Sequence, residues 1–402
     1  MNSRRKIAVF LIIAVIFAGL FLRYAHRAPK RNYCDFRVYY KTGERFLAKE
    51  DIYARPDESI TPFKYSPMFA MLVSPLTRLA PKTASLVFFT LNFAALFIVF
   101  LLSERIITEA AISFWKRIFL YTVPAIFSIR FILHTLDSGQ VGIIILMLVL
   151  LALYLLRKKK DAAAASSVGL GIMFKYTPGI FLPYFAVRGR VKFVVFVLLF
   201  ILLFCLLPAA YVGLENEIGY IKGWIPFISE TSFDRPSLYD YKNQSIVALA
   251  LRYFTDSTPY GIHVLNLTFN QGVLLALAVC LVTYIFIVYP KKNNNFVTNL
   301  DYSLLLIAMV LFNPNAWMHN FVVVIFPYMV LFYYLTKTGL KDRVTLFLTL
   351  VSFALLTLSS ETFIGDRAET MLEEFSVATF GMLVLMTALF RLKFREIKKE
   401  GL

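Results

Sequence analysis

A long polar segment near the N-terminus, residues 33–67, places a carboxylate among aromatic side chains, with a lysine near its end. Asp35 stands close to its start, tyrosines and phenylalanines recur through it, and Lys64-Tyr65 lie near its end. A linker between two membrane helices needs no such aromatic content, and a carboxylate is a common proton-transfer group. We therefore predict that residues 23–66 form an active-site loop at a membrane surface, with Asp35 at its chemical centre.

Other polar side chains interrupt or end apolar runs further along the chain. They are Gln140, Lys175, Asn243, Gln244, Arg252, Trp317 and His319. Each has an ordinary alternative when taken singly: Asp35 can pair with a neighbouring arginine, Lys175 can pair with Asp137, and His319 can be a satisfied buried histidine. Their joint placement on one side of a membrane, as the charge pattern predicts, is what indicates a site.

The composition indicates a polytopic membrane protein. Of the 402 residues 59% are hydrophobic, above the roughly 45–50% of soluble domains, and several apolar runs approach or exceed the roughly 18 residues that span a bilayer. The net charge of +17 arises mostly in short loops between these runs. That distribution follows the positive-inside rule, so nucleic acid is not an expected partner. The three cysteines form no CxxC pair, so neither a disulfide framework nor a zinc site is predicted.

We expect an all-α bundle of about twelve transmembrane helices, forming one domain over residues 1–402 in the cell membrane. Basic clusters at 157–160 and 391–399 alternate with acidic loops at 208–262 and 361–374, which places both termini in the cytoplasm. The first loop, 23–66, and the second, 208–262, then face the exterior. The first loop carries more basic than acidic residues, but charge counts over long loops weigh less than those over short ones.

Two segments leave the helix count open. Residues 67–82 begin with an apolar run that is too short to cross and contains Pro75, so it lies along the interface or re-enters. Residues 162–187 are long enough for one span, yet Lys175 and Pro178 interrupt them and both flanks are basic. We predict two half-helices that meet at Lys175, because such breaks are tolerated where they line a protein cavity. A charge at membrane depth costs roughly 2.5–3.5 kcal/mol, so Lys175 is expected to have an anion or carboxylate as partner.

Five motifs, in chain order, resemble those of glycosyltransferase family 87. They are Asp35-Phe36 with Tyr39-Tyr40, Gly43, Ile52-Tyr53 and Phe63-Lys64-Tyr65-Ser66-Pro67; Gly139-Gln140; Gly169-Leu170-Gly171 with Phe174-Lys175-Tyr176-Thr177-Pro178; Asn243-Gln244-Ser245 with Arg252; and Asn313-Pro314 with Trp317 and His319. The resemblance runs over most of the chain, from Asp35 to about Asn320. It departs from the family at one point: members often have paired histidines near the last motif, whereas Asn320 follows His319 here.

The resemblance implies a GT-C membrane fold and an inverting transfer of a sugar, with mannose as the family's expectation. The partners implied are a polyprenyl-phosphate sugar donor, a glycolipid or glycan acceptor and the lipid bilayer. Asp35 is implied as the general base and His319 as a second catalytic residue. The implied donor-binding residues are Lys64, Tyr65, Gln140, Lys175, Asn243, Gln244, Arg252 and Trp317. A phosphate leaving group needs no second carboxylic acid, and no residues show metal-ligand spacing, so no metal or other cofactor is expected.

The residues by themselves keep two other classes of function open. A transporter or flippase of a lipid-linked or anionic solute would also use a broken helix with a lysine at membrane depth. Such a protein gains little from the long aromatic first loop, and repeated halves are not visible in the sequence. A purely structural membrane subunit would not need polar groups gathered on one face.

Overall fold

The computed structural model describes residues 3–54, 62–232, 234–258, 264–290 and 294–399. Within these ranges the chain is helical and forms no β-strand, apart from an isolated bridge between Thr255 and Leu267. The all-α prediction is therefore confirmed. Parts of two predicted features lie outside the described residues, namely 55–61 of the first loop and 233 and 259–262 of the second loop.

Helices follow one another with short connections along the whole described chain. The first ten are α1 (Ser3–Arg27), α2 (Cys34–Ala48), α3 (Pro67–Val73), α4 (Pro81–Ile107), α5 (Phe114–Phe127), α6 (Ile129–Ser138), α7 (Gly142–Arg157), α8 (Asp161–Phe174), α9 (Phe181–Val187) and α10 (Val191–Leu206). They continue as α11 (Ala209–Val212), α12 (Leu214–Ser232), α13 (Arg235–Tyr239), α14 (Ile246–Phe254), α15 (Phe269–Val288), α16 (Asn295–Leu311), α17 (Ile325–Lys337), α18 (Arg343–Phe353), α19 (Glu361–Ile364), α20 (Asp366–Glu374) and α21 (Val377–Lys399). Short 3₁₀ segments lie at Pro29–Arg31, Ser74–Arg78, Thr177–Ile180 and Met318–Val324, and a π-helical turn lies at Ala354–Leu358.

Several of these helices are long and apolar enough to cross a membrane, so the chain is a membrane protein. Five qualify singly: α4, Val191–Val212, α15, Met318–Lys337 and α21. The pair α5 and α6 qualifies together and bends by 67° between the two helices. Five further apolar helical segments have only 10–17 residues, so the predicted number of about twelve crossings is not confirmed.

Met318–Lys337 lies at the centre of the core, and 89% of its most apolar 18-residue stretch is buried. By contrast, the most apolar part of Val191–Val212 is only 17% buried. Leucines such as Leu198 and Leu202 are more than half exposed on its surface. Side chains of this kind are stable in contact with lipid, so this helix lies at the lipid-facing periphery of the bundle.

One end of the bundle is held by buried ion pairs, and we call it the basic end. Asp301, near the start of α16, is fully buried. It is bound by Arg188, which follows α9, and by the Lys393 ammonium of α21 at 2.9 Å. Lys393 also donates to the carbonyl of Ile287, near the end of α15, at 2.6 Å. Each charge has a partner, which burial requires, so four helices are tied together here.

The segment from α8 to α9 turns back on itself. Arg190, which follows α9, lies 3.8 Å from the Asp161 carboxylate at the start of α8. The two flanks therefore meet near the basic end, as two half-helices with basic flanks require. The turn between them begins at Lys175, where the backbone leaves the helical conformation.

The first loop has more regular structure than its composition predicts. Residues 34–48 form α2, whose buried Phe36 and Tyr39 pack against α3 and α4, while Phe46 packs against tyrosines of α11 and α12. These positions follow the three-to-four-residue period of an amphipathic helix. Likewise residues 134–138, whose polar content is typical of a loop, form the last turn of α6. Both groups of polar residues thus stand on helices, which hold side chains more rigidly than a loop does.

Glu217 of α12 has a buried carboxyl group with no hydrogen-bond partner among the described residues. Its exposed fraction is 0%, and neither carboxylate oxygen has a hydrogen-bond partner within the described ranges. Its neighbours include Tyr53, Cys205 and Tyr220, none of which is a cation. Burial raises the pKa of Glu217 from 4.5 to about 8, because a charged carboxylate is unfavourable away from water.

We predict that Glu217 makes the protein less stable as the pH rises. The folded state keeps a proton on Glu217 that the unfolded state loses above its ordinary pKa. The free energy of unfolding therefore falls between about pH 4.5 and pH 8. Glu217→Gln should remove this part of the pH dependence, which thermal unfolding in detergent at several pH values measures. Glu215→Gln, on the exposed start of the same helix, is the control, and an unchanged pH trend in Glu217→Gln would contradict the prediction.

Candidate active site

A cavity of about 1780 Å³ opens away from the basic end, beyond the end of α16. Its wall is formed by the end of α1, α2, residues 62–65, α6, the turn after α8, residues 313–319 and residues 360–373. Seven of the predicted site residues line it: Asp35, Lys64, Tyr65, Gln140, Lys175, Trp317 and His319. These residues come from five separate parts of the sequence, so only the fold brings them together.

Asp35 and Gln140 form the central contact of the cavity wall. The Gln140 side-chain amide donates to the Asp35 carboxylate at 2.6 Å. The amide oxygen of Gln140 accepts from the hydroxyls of Tyr39 and Tyr65, both at 3.1 Å. The two hydroxyls lie 2.7 Å from each other. Both polar atoms of the Gln140 side chain are thus hydrogen-bonded, the nitrogen to Asp35 and the oxygen to the two tyrosines. This arrangement fixes the direction of the Asp35 carboxylate.

The surroundings of Asp35 make it a stronger base than an exposed aspartate. Burial raises its pKa, while the hydrogen bond from Gln140 and the charge of Lys175 act in the opposite direction. Burial is the largest of these effects, so the pKa of Asp35 lies above its ordinary value. The alternative of an ion pair with a neighbouring arginine is not observed, since the contact of the carboxylate is with Gln140.

Gly139 allows α6 to end against α2 so that Gln140 reaches Asp35. Its φ is +68°, in the left-handed region, where glycine carries no steric penalty. A Cβ atom at Gly139 would lie 2.9 Å from the Cβ of Phe36, the residue after Asp35. The backbone N–H of Gln140 then closes the end of α6 by donating to the carbonyl of Thr135 at 3.1 Å.

Lys175 lies in the cavity wall at the turn after α8. Its ammonium donates to the side-chain oxygen of Asn320 at 2.8 Å, and the next residue, Tyr176, donates to Asn313 at 2.7 Å. Among the described residues no carboxylate lies within ion-pair distance of Lys175, and Asp137 is paired with Arg23 instead. The expected anionic partner is therefore not supplied by this part of the chain, and Asn320 replaces the expected second histidine with an acceptor for Lys175.

His319 has a neighbour that sequence reasoning missed. The ring of His134, on α6, lies 6.2 Å from the ring of His319, and the two planes are inclined by 28°. Both rings line the cavity, and the carbonyl of His319 accepts from Thr135 at 3.1 Å. His134 falls four residues after Arg130 and three before Asp137, which also line the cavity. On a helix, residues three and four apart share one face. This spacing therefore marks His134 as a cavity residue once residues 134–138 are known to be helical.

Asn243 and Gln244 are not among the residues that line the cavity. Asn243 is fully buried; it donates to the carbonyl of Pro314 at 2.8 Å and accepts from the amide of Ala316 at 3.0 Å. Gln244 donates to the carbonyl of Glu373 at 2.8 Å. Their side chains thus join the segment before α14 to two cavity-lining segments, 313–319 and 360–373, from behind.

Arg252 is likewise fully buried and is not among the residues that line the cavity. Its guanidinium donates to the hydroxyl of Ser376 at 2.7 Å and to the carbonyls of Asp240 and Asn243 at 2.6 and 2.8 Å. A buried guanidinium satisfied by three oxygens stabilises the segments that supply them. In this structure Arg252 holds the start of α21 against residues 240–243.

One family model matches the chain, that of glycosyltransferase family 87, over residues 63–314. This range is more than half of the 402 residues. It includes Gln140, Lys175 and Arg252, whereas Asp35 and His319 lie outside it. No curated protein matches the chain.

We predict that Gly139→Ala destabilises the protein more than a comparable glycine substitution elsewhere. Gly189 has a similar φ of +77°, but nothing lies within 4 Å of a Cβ placed there. Both substitutions impose a left-handed alanine, which costs about 1–2 kcal/mol. Only Gly139→Ala also forces α6 away from Phe36, at a further cost of about 1–3 kcal/mol. Thermal unfolding of both variants in detergent measures the difference, and equal losses would show that the contact with Phe36 does not matter.

Proposed function

Because the chain belongs to glycosyltransferase family 87, we propose that this membrane glycosyltransferase uses a polyprenyl-phosphate sugar as donor and a glycolipid or glycan as acceptor. Mannose is the first sugar to test, since it is the sugar that the family resemblance implies. The observation that carries the proposal is the contact between Asp35 and Gln140 in a cavity that also contains Lys175. One oriented base beside one cation is what transfer from a sugar phosphate requires.

In this mechanism Asp35 is the general base. Its carboxylate takes the proton from an acceptor hydroxyl while that oxygen forms a bond to the anomeric carbon of the donor sugar. The bond from the anomeric carbon to the phosphate oxygen breaks, and its electron pair leaves with the phosphate. Attack from the side opposite the leaving group inverts the anomeric carbon. The Gln140 hydrogen bond and the raised pKa of Asp35 support this role, since they orient the carboxylate and strengthen it as a base.

The leaving phosphate is stabilised by Lys64 and Lys175, with the His319 imidazole as a further N–H donor in the same cavity. Lys175 and Lys64 lie close enough to influence each other electrostatically, and His319 is in reach of the Lys175 charge. Positive groups placed where negative charge develops supply a large part of transition-state stabilisation. We assign the donor phosphate to Lys175, Lys64 and His319. Tyr65 and Trp317 then lie in the cavity wall where the sugar would rest.

Asn243, Gln244 and Arg252 are proposed to act on the donor site indirectly. The hydrogen bonds of Asn243 support the segment 313–319, which carries Trp317 and His319, and that of Gln244 supports the segment 360–373. Arg252 in turn holds the backbone of Asn243. Substitution at these positions would therefore displace the cavity wall rather than remove a direct contact. This role replaces the direct donor contact that the family resemblance implied for them.

We propose that the cavity faces the exterior of the cell. The basic end carries a concentration of arginines and lysines, including Arg157, Arg188, Lys393 and Arg395. The positive-inside rule places such an end in the cytoplasm. The cavity lies beyond the other end of α16, and α21 runs from the cavity side toward the basic end, which would leave the C-terminus in the cytoplasm.

We predict that Asp35→Asn lowers turnover by a factor of about 10²–10⁴. Asparagine has the same shape but cannot accept the proton, while the donor phosphate contacts remain. The measurement is transfer from a short-chain polyprenyl-phosphate mannose, with donor binding determined on the same preparation. Asp137→Asn is the matched control, because Asp137 also lines the cavity but is paired with Arg23. Transfer by Asp35→Asn at nearly the wild-type rate would exclude Asp35 as the base.

A second prediction concerns the side of the membrane. Cys34 is half-buried and adjoins Asp35, whereas Cys280 is buried and the thiol of Cys205 faces Met173 at 3.9 Å. A membrane-impermeant maleimide should therefore label Cys34 in intact cells. Burial raises the pKa of the Cys34 thiol, so labelling should quicken at mildly alkaline pH. Cys34→Ser is the control, and labelling only after the membrane is opened would place the cavity in the cytoplasm.

A further inference from the structure

Asn320 holds Lys175 from outside the cavity. Its side-chain oxygen accepts from the Lys175 ammonium at 2.8 Å. Lys175 lines the cavity, whereas Asn320 is not among the residues that line it. An influence of Asn320 on a ligand in the cavity is therefore exerted through Lys175 and not through a contact of its own.

A second asparagine binds the next residue of the same turn. The hydroxyl of Tyr176 donates to the side-chain oxygen of Asn313 at 2.7 Å. The side-chain nitrogens of both asparagines donate to one acceptor, the carbonyl of Asn315, at 2.6 Å from Asn313 and 3.5 Å from Asn320. Two consecutive residues of the turn, Lys175 and Tyr176, are thus bound by two amide oxygens that stand on one segment of the chain.

The direction of the Asn320 amide follows from what its neighbours can donate and accept. An ammonium has three donors and no acceptor, and a backbone carbonyl only accepts. The oxygen of Asn320 therefore faces Lys175, and its nitrogen faces Asn315. The backbone at Lys175 has already left the helical conformation, so the side-chain contact with Asn320, rather than a helix, fixes the ammonium.

The acceptor that Asn320 supplies is neutral, unlike the one that holds Lys393 at the basic end. There a fully buried carboxylate, that of Asp301, binds the ammonium at 2.9 Å and compensates its charge. Lys175 is held at nearly the same distance by an amide oxygen. An amide supplies a hydrogen bond without a charge, so the positive charge of Lys175 is kept.

The carboxylates near Lys175 in the cavity wall do not pair with it. Asp35 attracts Lys175 electrostatically, but its carboxylate accepts from Gln140. Asp137 is bound by Arg23. Within the described ranges no carboxylate lies at ion-pair distance from Lys175, so its charge is available to an anion in the cavity.

We infer that Asn320 is a positioning residue for Lys175, which it holds in the cavity wall by a neutral acceptor so that the whole charge meets an anionic ligand. This inference rests on the proposed function, which assigns the donor phosphate to Lys175. Among the contacts of the described residues Asn320 takes one N–H of the ammonium, which leaves the others for the phosphate. An aspartate at this position would have nearly the same size but would compensate the charge that the phosphate needs.

Stability and binding make opposite demands on Lys175. A half-buried ammonium without a counter-ion weakens the fold, whereas the same ammonium strengthens the binding of an anion. Asn320→Asp should therefore change the two properties in opposite directions. Little else is lost in this variant, because the contact of the Asn320 nitrogen with Asn315 is 3.5 Å long and hydrogen bonds are weak at that distance. A residue with a merely structural role would change both properties in the same direction.

The test combines titration calorimetry and thermal unfolding of the full-length protein in a neutral maltoside detergent. Farnesyl phosphate is the anionic probe, and farnesol, the same chain without phosphate, is its neutral counterpart. The variants are Asn320→Asp, Lys175→Gln and the double variant. Asn299→Asp is the matched control, because Asn299 also accepts from a cation, Arg157 at 2.6 Å, but lies at the basic end.

We expect Asn320→Asp to weaken the binding of farnesyl phosphate by about tenfold or more. Farnesol binding should not change, and the unfolding temperature should stay the same or rise. Lys175→Gln should also weaken farnesyl phosphate binding. When Lys175 is already Gln, adding Asn320→Asp should lower the unfolding temperature, because the new carboxylate then lacks its counter-ion. Asn299→Asp should leave the binding of both probes unchanged.

Three results would overturn the inference. They are binding of farnesyl phosphate by Asn320→Asp with wild-type affinity, equal weakening of farnesyl phosphate and farnesol in that variant, and an equal fall of the unfolding temperature whether or not Lys175 is present. Failure of the proposed function looks different. In that case Lys175→Gln binds farnesyl phosphate as tightly as the wild type does, or the wild type does not distinguish farnesyl phosphate from farnesol.

Discussion

The arrangement of the cavity depends on one hydrogen bond, from the Gln140 amide to the Asp35 carboxylate. It joins α2 to the end of α6, two elements 105 residues apart in the chain. The bond can form because Gly139 ends α6 in the left-handed conformation and leaves room for Phe36. Two tyrosine hydroxyls hold the other side of the amide. A carboxylate fixed in this way needs little reorganisation when it accepts a proton, which favours catalysis.

The charged groups of the protein are used differently at its two ends. At the basic end the buried Asp301 carboxylate is paired with Arg188 and with the buried Lys393, so these charges stabilise the bundle. In the cavity Lys175 binds the amide oxygen of Asn320 instead. Charges left without a counter-ion in a cavity are available to anionic substrates. The same residue types thus serve structure at one end and, in the function that we propose, binding at the other.

The motif residues also divide into those that line the cavity and those that support it. Lys64, Tyr65, Gln140 and Lys175 line it. Behind it, the buried side chains of Asn243 and Ser245 bind backbone atoms of the segment that carries Trp317 and His319. A family motif can therefore mark a structural requirement as readily as a substrate contact, and residue type does not distinguish the two. Burial and hydrogen-bond partners do.

The sequence by itself determined the properties that depend on local composition. Apolar runs and basic flanks predicted a helical membrane protein and a chain reversal at Lys175, and motifs in order predicted the family. It did not predict that residues 34–48 and 134–138 are helical, because their polar and aromatic content resembles that of a loop. Only the tertiary structure decided that Gln140 reaches Asp35, that His134 lies beside His319, and that Arg252 is buried behind the cavity. These are contacts between segments far apart in the chain, and they depend on how helices pack, which no local pattern of residues specifies.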